Sequence, residues 1–334
     1  MWQLADIKNG GGPATALFIN PDTPKPVPGP SQALIKVKAF GLNRMDLIQR
    51  QGGYPVPPQA PKTLGVEFSG TIESFGEAPE KGFNVGDEVF GLAYGGCYAE
   101  YVAVSTHMLI HKPKELSWEQ AAGIPETWIT ATQALFLVGS FKEGESVLWH
   151  ACGSAVSIAG IQLSKAGGAS AIYGTARGDD KLEFAVKELG ATAAYNLKSQ
   201  DWAGEVLKAT NGRGVDVIVD FIGTDTFAGN LKAAARDCRV VLLGLLSGSA
   251  LPAGVDILPL LYKRISYNGS TLRSRDETYQ GKLRDSLEEH ALPKLRDGSF
   301  KVVIEKVLDW EDIIQGHQLL ESNQTKGKII CTIS

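Results

Sequence analysis

Residues 146–168, SVLWHACGSAVSIAGIQLSKAGG, carry the reading of the fold. Ser146–Ala151 is an apolar run of strand length. Val156–Ala166 repeats its apolar residues with a helical period, and Gly167 with Gly168 ends it. A buried strand, a tight turn of small residues and a helix N-terminus in that order make an anion site. The unspent N–H groups and the helix dipole both favour negative charge there. The turn reads His150-Ala151-Cys152-Gly153-Ser154-Ala155-Val156-Ser157. Only Gly153 is glycine; Ala155 and Ser157 stand where a dinucleotide fingerprint has glycine. On spacing alone, a phosphate-bearing ligand and a ligand-free structural turn are equally good readings.

The same beat runs on. Ala171–Gly174, Ala193–Asn196, Val215–Asp220, Arg239–Leu245 and Ile265–Gly269 are strand-like. Between them Asp179–Leu189, Trp202–Thr210, Phe227–Ala235 and Ile257–Lys263 are helical. Six strands with helical crossovers predict a mostly parallel, doubly wound sheet of Rossmann type over residues 126–271, with its ligand crevice at the carboxyl ends of the strands. Upstream the texture differs: Ala33–Ala39, Gly65–Ser74, Asp87–Leu92 and Tyr98–Val104 alternate or are apolar, and glycine turns separate them. Pro55, Pro57, Pro58 and Pro61 mark one long loop. After Leu272 come a helix (Tyr279–Glu289), a strand (Val302–Val307), a helix (Trp310–Glu321) and a last strand (Gly327–Ile333). If this tail pairs back into the β-rich half, residues 1–125 and 272–334 form one discontinuous domain.

An NAD site sets Asp or Glu at the end of the second strand, about 20 residues past the turn, to hold the ribose hydroxyls. Here that end reads Gly174-Thr175-Ala176-Arg177, with Lys181 one turn later. Two cations and no acid favour a 2′-phosphate, hence NADPH. The competing reading is of two solvated cations, partly offset by Asp179 and Asp180.

Composition bounds the rest. With 334 residues, 43% hydrophobic and 21% charged, the chain can build two sizeable cores. A net charge of −4 gives no general attraction to nucleic acid or anionic membrane, so neither is an expected partner. Cys97, Cys152, Cys238 and Cys331 are scattered, which suits a reducing, cytoplasmic setting. Met1–Ala16 has no basic stretch followed by an apolar run, so no secretory signal is expected. Val217–Ile222 and Val240–Leu246 are too short to span a bilayer. His107, His111, His150, His290 and His317 have no ligand spacing, and no metal is expected.

Further motifs carry a resemblance across the whole chain. Leu42-Asn43-Arg44-Met45-Asp46, Gln49–Gly52 with Tyr54-Pro55, Gly65-Val66-Glu67, Gly86-Asp87, Ala121–Pro125, Thr130-Ala131, Leu272–Asp276 and Gly327-Lys328-Ile329 resemble the zinc-free medium-chain dehydrogenase/reductases of the quinone oxidoreductase family. That resemblance implies an α/β chain: a GroES-like, β-rich catalytic domain plus a Rossmann domain. It implies NADPH-dependent hydride transfer to a quinone without metal, or to a conjugated carbonyl (an enal or enone), commonly by a homodimer. It sets Asn43 and Thr130 near the nicotinamide and Tyr54 on the substrate side. Gly153, Ser154, Ala155 and Val156 would hold the pyrophosphate. Gly174, Thr175, Lys181 and, displaced by two residues from the usual tyrosine, Tyr195 would meet the adenosine end. Phe221, Ile222 and Gly223 would line the groove, with Gly244, Leu245, Leu246, Leu272 and Arg273 toward the nicotinamide and Asn323 closing the site. The glycine-poor turn keeps a third reading open, a binding or structural protein on the reductase fold. Asp46 and Glu67 are read as structural, Cys152 as a small filler residue, and Arg273 and Arg275 as gating residues or a solvated loop. No protein acid is evident.

Overall fold

The computed structural model describes residues 4–7, 11–77 and 82–333; Met1–Gln3 and Lys8–Gly10, inside the stretch read for a leader, lie outside them. Two compact units emerge: Met1–Ile129 with Leu272–Ser334, and Thr130–Thr271.

In the first unit β1 (Leu4–Ile7) pairs with β2 (Leu17–Asn20). The spine is β3 (Gln32–Leu42), whose Ala33, Ile35, Val37 and Ala39 are buried while Lys36 is exposed, as alternation requires. Helix α1 (Arg44–Arg50) follows, then β4 (Glu67–Phe75), β5 (Glu88–Leu92), β6 (Tyr101–Ser105) and β7 (Leu109–His111). They pair antiparallel in the order β3-β4-β5-β7, with β6 also on β3. Helices α2 (Trp118–Ala122) and α3 (Pro125–Thr132) end this segment. The strand expected from Tyr98 begins only at Tyr101, because Tyr98 is a core anchor. Its ring stacks on Phe40 at 4.6 Å and covers Gly65, where any Cβ would strike it. Gly65 also has φ +90°, so it ends the loop before β4 instead of opening the strand.

The second unit is a six-stranded, wholly parallel sheet. In chain order it contains β8 (Ser146–Trp149), α4 (Ala155–Ala166), β9 (Ala171–Ala176), α5 (Asp179–Lys187), β10 (Ala193–Asn196), α6 (Trp202–Ala209), β11 (Val215–Asp220), α7 (Thr224–Ala233), β12 (Ala234–Leu242), α8 (Leu258–Tyr262) and β13 (Ser266–Gly269). The spatial order β10-β9-β8-β11-β12-β13 is the doubly wound dinucleotide order, with its switch point between β8 and β11. One core cluster gathers Leu148, Tyr173, Trp202, Ile218, Leu231 and Val240. The helix expected over Phe227–Ala235 runs from Thr224 to Ala233, and Ala234 already belongs to β12.

The chain then returns to the first unit. Helix α9 (Glu277–Ser286) is capped by Asp276, which accepts the Tyr279 N–H at 2.8 Å. After α10 (Leu292–Arg296), β14 (Ile304–Asp309) and α11 (Ile313–Glu321), β15 (Lys328–Thr332) pairs antiparallel with β3 and parallel with β14. The tail therefore completes a seven-stranded sheet whose first strand, β3, begins at Gln32, near the other end of the sequence.

Candidate active site

In the second unit the turn after β8 is shaped from beneath. Ser154 caps α4 by accepting the Ser157 N–H at 3.3 Å. Ser157, standing where glycine was expected, is buried and donates to the His150 carbonyl at 2.7 Å, so a side-chain hydroxyl ties this turn to its strand. Under it runs a buried polar chain. Thr175 donates to His150 Nδ1 (2.7 Å), and His150 Nε2 donates to Asn230 Oδ1 (2.7 Å). The Asn230 amide then donates to Asp220 Oδ2 (2.7 Å). Asp220 also accepts the N–H groups of Ile222 (2.6 Å) and Gly223 (3.2 Å) and the Thr226 hydroxyl (2.8 Å). The chain links the carboxyl end of β9 to those of β8 and β11, the two strands that flank the switch point, and so holds the turn rigid.

Gly153 has no room for a side chain: an added Cβ would lie 2.8 Å from Lys181 Cδ. The lysine stem therefore crosses the turn, and only glycine lets it. Gly174 is likewise closed by Cys152, 2.9 Å from an added Cβ, and burial pushes the Cys152 thiol up to about 12. Cys152 is thus the filler its small size suggested. Arg177 is exposed, and the end of β9 carries no carboxylate. The loops 221–223 and 243–247 are pinned together: Leu246 N–H donates to Phe221 O (3.1 Å) and Ser247 N–H to Ile222 O (2.9 Å). Phe221, Ile222, Gly223, Gly244, Leu245 and Leu246 thus share one rim, and Gly223 at φ +90° lies against Leu245. Leu245 and Leu246 are half-exposed apolar side chains on it. Thr130 belongs to this unit, and its buried hydroxyl has no hydrogen-bond partner among the described residues.

Two expectations are corrected here. The Thr175 hydroxyl is fully buried and committed to His150, so its side chain is not available to a ribose. Tyr195 packs against the core cluster and stacks on Tyr173 at 6.5 Å. It pairs in register with Thr175, whereas Gly174 pairs with Ala194, so it lies on the sheet face opposite the turn.

In the first unit charged groups are concentrated around α1. Asn43 opens the helix with a capping box, its N–H donating to Asp46 Oδ2 at 2.8 Å. Its side-chain amide donates to Glu67 Oε1 (2.9 Å) and accepts from Lys328 Nζ (2.8 Å). Glu67 and Lys328 form a buried ion pair, and Glu67 Oε2 accepts the Glu126 N–H at 2.9 Å. A second chain starts at Arg50, which donates to His317 Nδ1 (2.8 Å). His317 Nε2 then donates to the Tyr98 hydroxyl (3.2 Å), which donates to Asp46 Oδ2 (3.0 Å). Burial, helped by Arg50, holds His317 down at about 3, so the ring is neutral. Asp46 is pushed up to about 6 by burial, against the bonds from Asn43 and Tyr98. With both ends of its amide spent, Asn43 positions Glu67 and Lys328.

Arg273 is not a solvated loop residue. It is 5% exposed; Nε donates to Tyr94 O and Nη1 to Gln49 Oε1, each at 2.6 Å, and Nη2 has no geometric hydrogen bond among the described residues. Its guanidinium lies 5.4 Å from the half-buried Tyr54 ring. Burial and then the Glu126 charge push the Tyr54 phenol up. Leu272 is buried, and its carbonyl accepts from Gln280. Asn323 is exposed with φ +59°, ends α11 as a left-handed cap, and accepts from Arg44 at 2.8 Å. Glu126 is the group sequence reasoning missed. Its only local signal is a lone acid in the apolar run Ala121–Ile129.

Comparison with known proteins completes the description. The families described as alcohol dehydrogenase GroES-like domain and zinc-binding dehydrogenase match residues 29–114 and 155–288. A quinone oxidoreductase of Lama guanicoe is 30% identical over 97% of this chain and 95% of its own length. The crystal structure of Pseudomonas syringae pv. Tomato DC3000 quinone oxidoreductase covers both chains fully, with TM-score 0.87 and 29% identity. A mycobacterial structure complexed with NADPH has TM-score 0.88 and 26% identity over 99% of this chain and 100% of its own.

Proposed function

The chain belongs to the zinc-free quinone oxidoreductase family of medium-chain dehydrogenase/reductases, and on that premise we infer that it reduces a quinone with NADPH and without a metal. The observation that carries the cofactor is the turn after β8. It offers a helix N-terminus, a glycine that admits no Cβ beneath Lys181, and a neighbouring strand end with Arg177 and no acid. Those residues fit a phosphorylated dinucleotide. The N–H groups at Ser154–Val156 would take the pyrophosphate. Lys181 and Arg177 would take the 2′-phosphate, and the apolar rim of Phe221–Gly223 with Gly244–Leu246 would flank the rest. The unpartnered Thr130 hydroxyl has a donor to give to the nicotinamide end. Bound NADPH would supply the hydride and its two electrons. The first unit's part is to hold the acceptor, with Tyr54 and Arg273 as its polar contacts, and proximity does most of the work.

Other readings of the chain follow from this one. Leu258, Leu261 and Tyr262 of α8 are exposed just before edge strand β13, which supports a homodimer through that edge. The four cysteines are all free and buried, in keeping with a cytoplasmic enzyme.

Titration of NADPH and NADH against tryptophan fluorescence, followed by turnover of an ortho-quinone and a 2-alkenal, tests the proposal. NADPH is expected to bind at least about tenfold more tightly than NADH, since one charge-assisted bond to a phosphate has that worth. The ortho-quinone is expected to be the faster substrate. Absence of binding at millimolar cofactor would overturn the enzyme reading; preference for the alkenal would replace the acceptor.

A further inference from the structure

The carboxyl ends of β9 and β10 share a side chain whose hydrogen-bonding positions are all spent. Asn196, the last residue of β10, is 8% exposed. Its amide nitrogen donates to the Arg177 carbonyl at 3.3 Å and to Asp179 Oδ1 at 2.8 Å. Its amide oxygen accepts the Lys198 N–H at 2.9 Å and the Ser199 N–H at 3.3 Å. A primary amide has two donors and one oxygen with two lone pairs, so this one is saturated. Acceptors lie on one side of it and donors on the other, and a flipped amide would lose all four bonds. The anchor itself is firm: Gln200 Oε1 accepts the Asn196 N–H at 2.6 Å, and Ala176 O accepts the Leu197 N–H at 2.8 Å.

What Asn196 holds matters to a cofactor. Asp179 opens α5, two residues past Arg177 and two before Lys181. It is the acid nearest in sequence to the end of β9, where a carboxylate suits bare ribose hydroxyls and opposes a 2′-phosphate. Helix residues i and i+2 do not share a face. Accordingly Lys181 lies over Gly153, on the β8 side, while Asp179 is tied to β10, which flanks β9 on its other side. Asp180 folds back onto Gly178, its Oδ1 2.7 Å from where a Cβ would stand. The lysine and the first acid of this segment thus part to opposite sides of β9.

We propose that Asn196 is a positioning residue that sets cofactor selectivity. It draws the Asp179 carboxylate toward β10 and fixes the Arg177 backbone, so that this acid does not oppose a 2′-phosphate at the end of β9. The proposal rests on the reading of the turn after β8 as an NADPH site and deepens it: selectivity depends on an acid held off as well as on cations present. Without the amide, the Asp179 carboxylate is free to turn toward the strand end. There it repels a phosphate, and it accepts hydrogen bonds from the ribose hydroxyls of NADH.

The test titrates NADPH and NADH against tryptophan fluorescence at low ionic strength, where screening is weakest. It compares wild type, Asn196→Ala, Asp179→Ala and the double variant. Asn196→Ala is expected to raise the Kd for NADPH roughly 5- to 30-fold, the worth of one like charge near a doubly charged phosphate. The Kd for NADH should stay unchanged or fall. Asp179→Ala should change the Kd for NADPH by less than about threefold, because the acid is already held away. The double variant should recover the wild-type preference, since no acid is left to release. A merely structural Asn196 would weaken both cofactors alike, or leave the double variant as weak as the single one. Either result overturns the proposal while the NADPH reading stands. If Asn196→Ala does not fold, Asp179→Ala, at an exposed position, decides. NADPH bound about threefold more tightly or better there shows that the phosphate already feels the acid and overturns the proposal; a smaller change upholds it. A wild type that binds NADH as tightly as NADPH, or binds neither, removes the NADPH reading and the role of Asn196 with it.

Discussion

Replacing Lys328 by methionine isolates what the buried charges of the first unit are worth. Lys328 is 3% exposed and Glu67 fully buried, and the ammonium also serves Asn43 Oδ1 at 2.8 Å and Leu42 O at 3.2 Å. Methionine keeps the length of the stem and deletes the charge. It leaves a carboxylate in the core with only the Asn43 amide and the Glu126 N–H to meet it. Breaking a buried pair from one side costs about 3–5 kcal/mol. In a unit of this size each kcal/mol lowers the Tm by about 2–4 °C, so a fall of roughly 6–20 °C is expected in scanning calorimetry. Combining Lys328→Met with Glu67→Gln should recover about half of that loss or more, because no charge is then stranded and the amide oxygen still accepts. A single variant within about 1 kcal/mol of wild type, or losses that simply add in the double variant, would refute the idea that this pair is an interdependent lock.

Two further outcomes are expected. Lys181→Ala should raise the Kd for NADPH by roughly 10- to 150-fold, the worth of a bond between charged groups, with little change for NADH; equal weakening of both in fluorescence titration would remove the lysine from phosphate recognition. His317, with a folded pKa of about 3 against 6.5 unfolded, contributes stability that is complete above about 6.5 and is lost as pH falls toward 3. Asp46, raised to about 6, works in the opposite sense, its contribution falling as pH rises from 3.8 to 6, so the wild-type curve alone is ambiguous. The difference between wild type and His317→Gln isolates the histidine: the variant's Tm should fall less steeply on acidification, and parallel curves would show that His317 is not neutral in the folded chain.

The second unit was legible because its signals are local. Strands buried on both faces read as apolar runs such as VDVIVD at Val215–Asp220, and glycines at 167 and 190 stop the helices. Element order then sufficed for the sheet. Side-chain direction did not follow as easily. Thr175 and Tyr195 lie where a cofactor-facing residue was sought, but a strand alternates its faces, and these two point to the core side. The tail's return to the β-rich unit was readable as a possibility, whereas its register on β3 is a tertiary fact: Ile329 and Thr332 find Leu42 and Ala39 across some 290 residues.

The charged cluster was illegible for a stronger reason. Its members lie at positions 43, 46, 67, 126, 273, 317 and 328, and each has a bland local reading. Asp46 is a capping residue, Glu67 a strand start and Arg273 a loop cation. Only folding brings them together, and the energetics of that assembly are what give it meaning. An apolar core of the same volume would match or exceed such a cluster in stability, since desolvation cancels much of what buried ion pairs gain. The cost is tolerable where the charges are mutually satisfied, as they are for Lys328, Glu67 and Asn43. It remains unoffset at two places, Arg273 Nη2 and the Glu126 carboxyl. Local rules are expected to fail where a fold serves a ligand. The first of these lies beside Tyr54, on the unit the resemblance assigns to the substrate. Neutralising both, with Glu126→Gln and Arg273→Met together, should therefore stabilise the first unit while lowering turnover. A double variant that is both less stable and fully active would show that the two groups serve the fold instead.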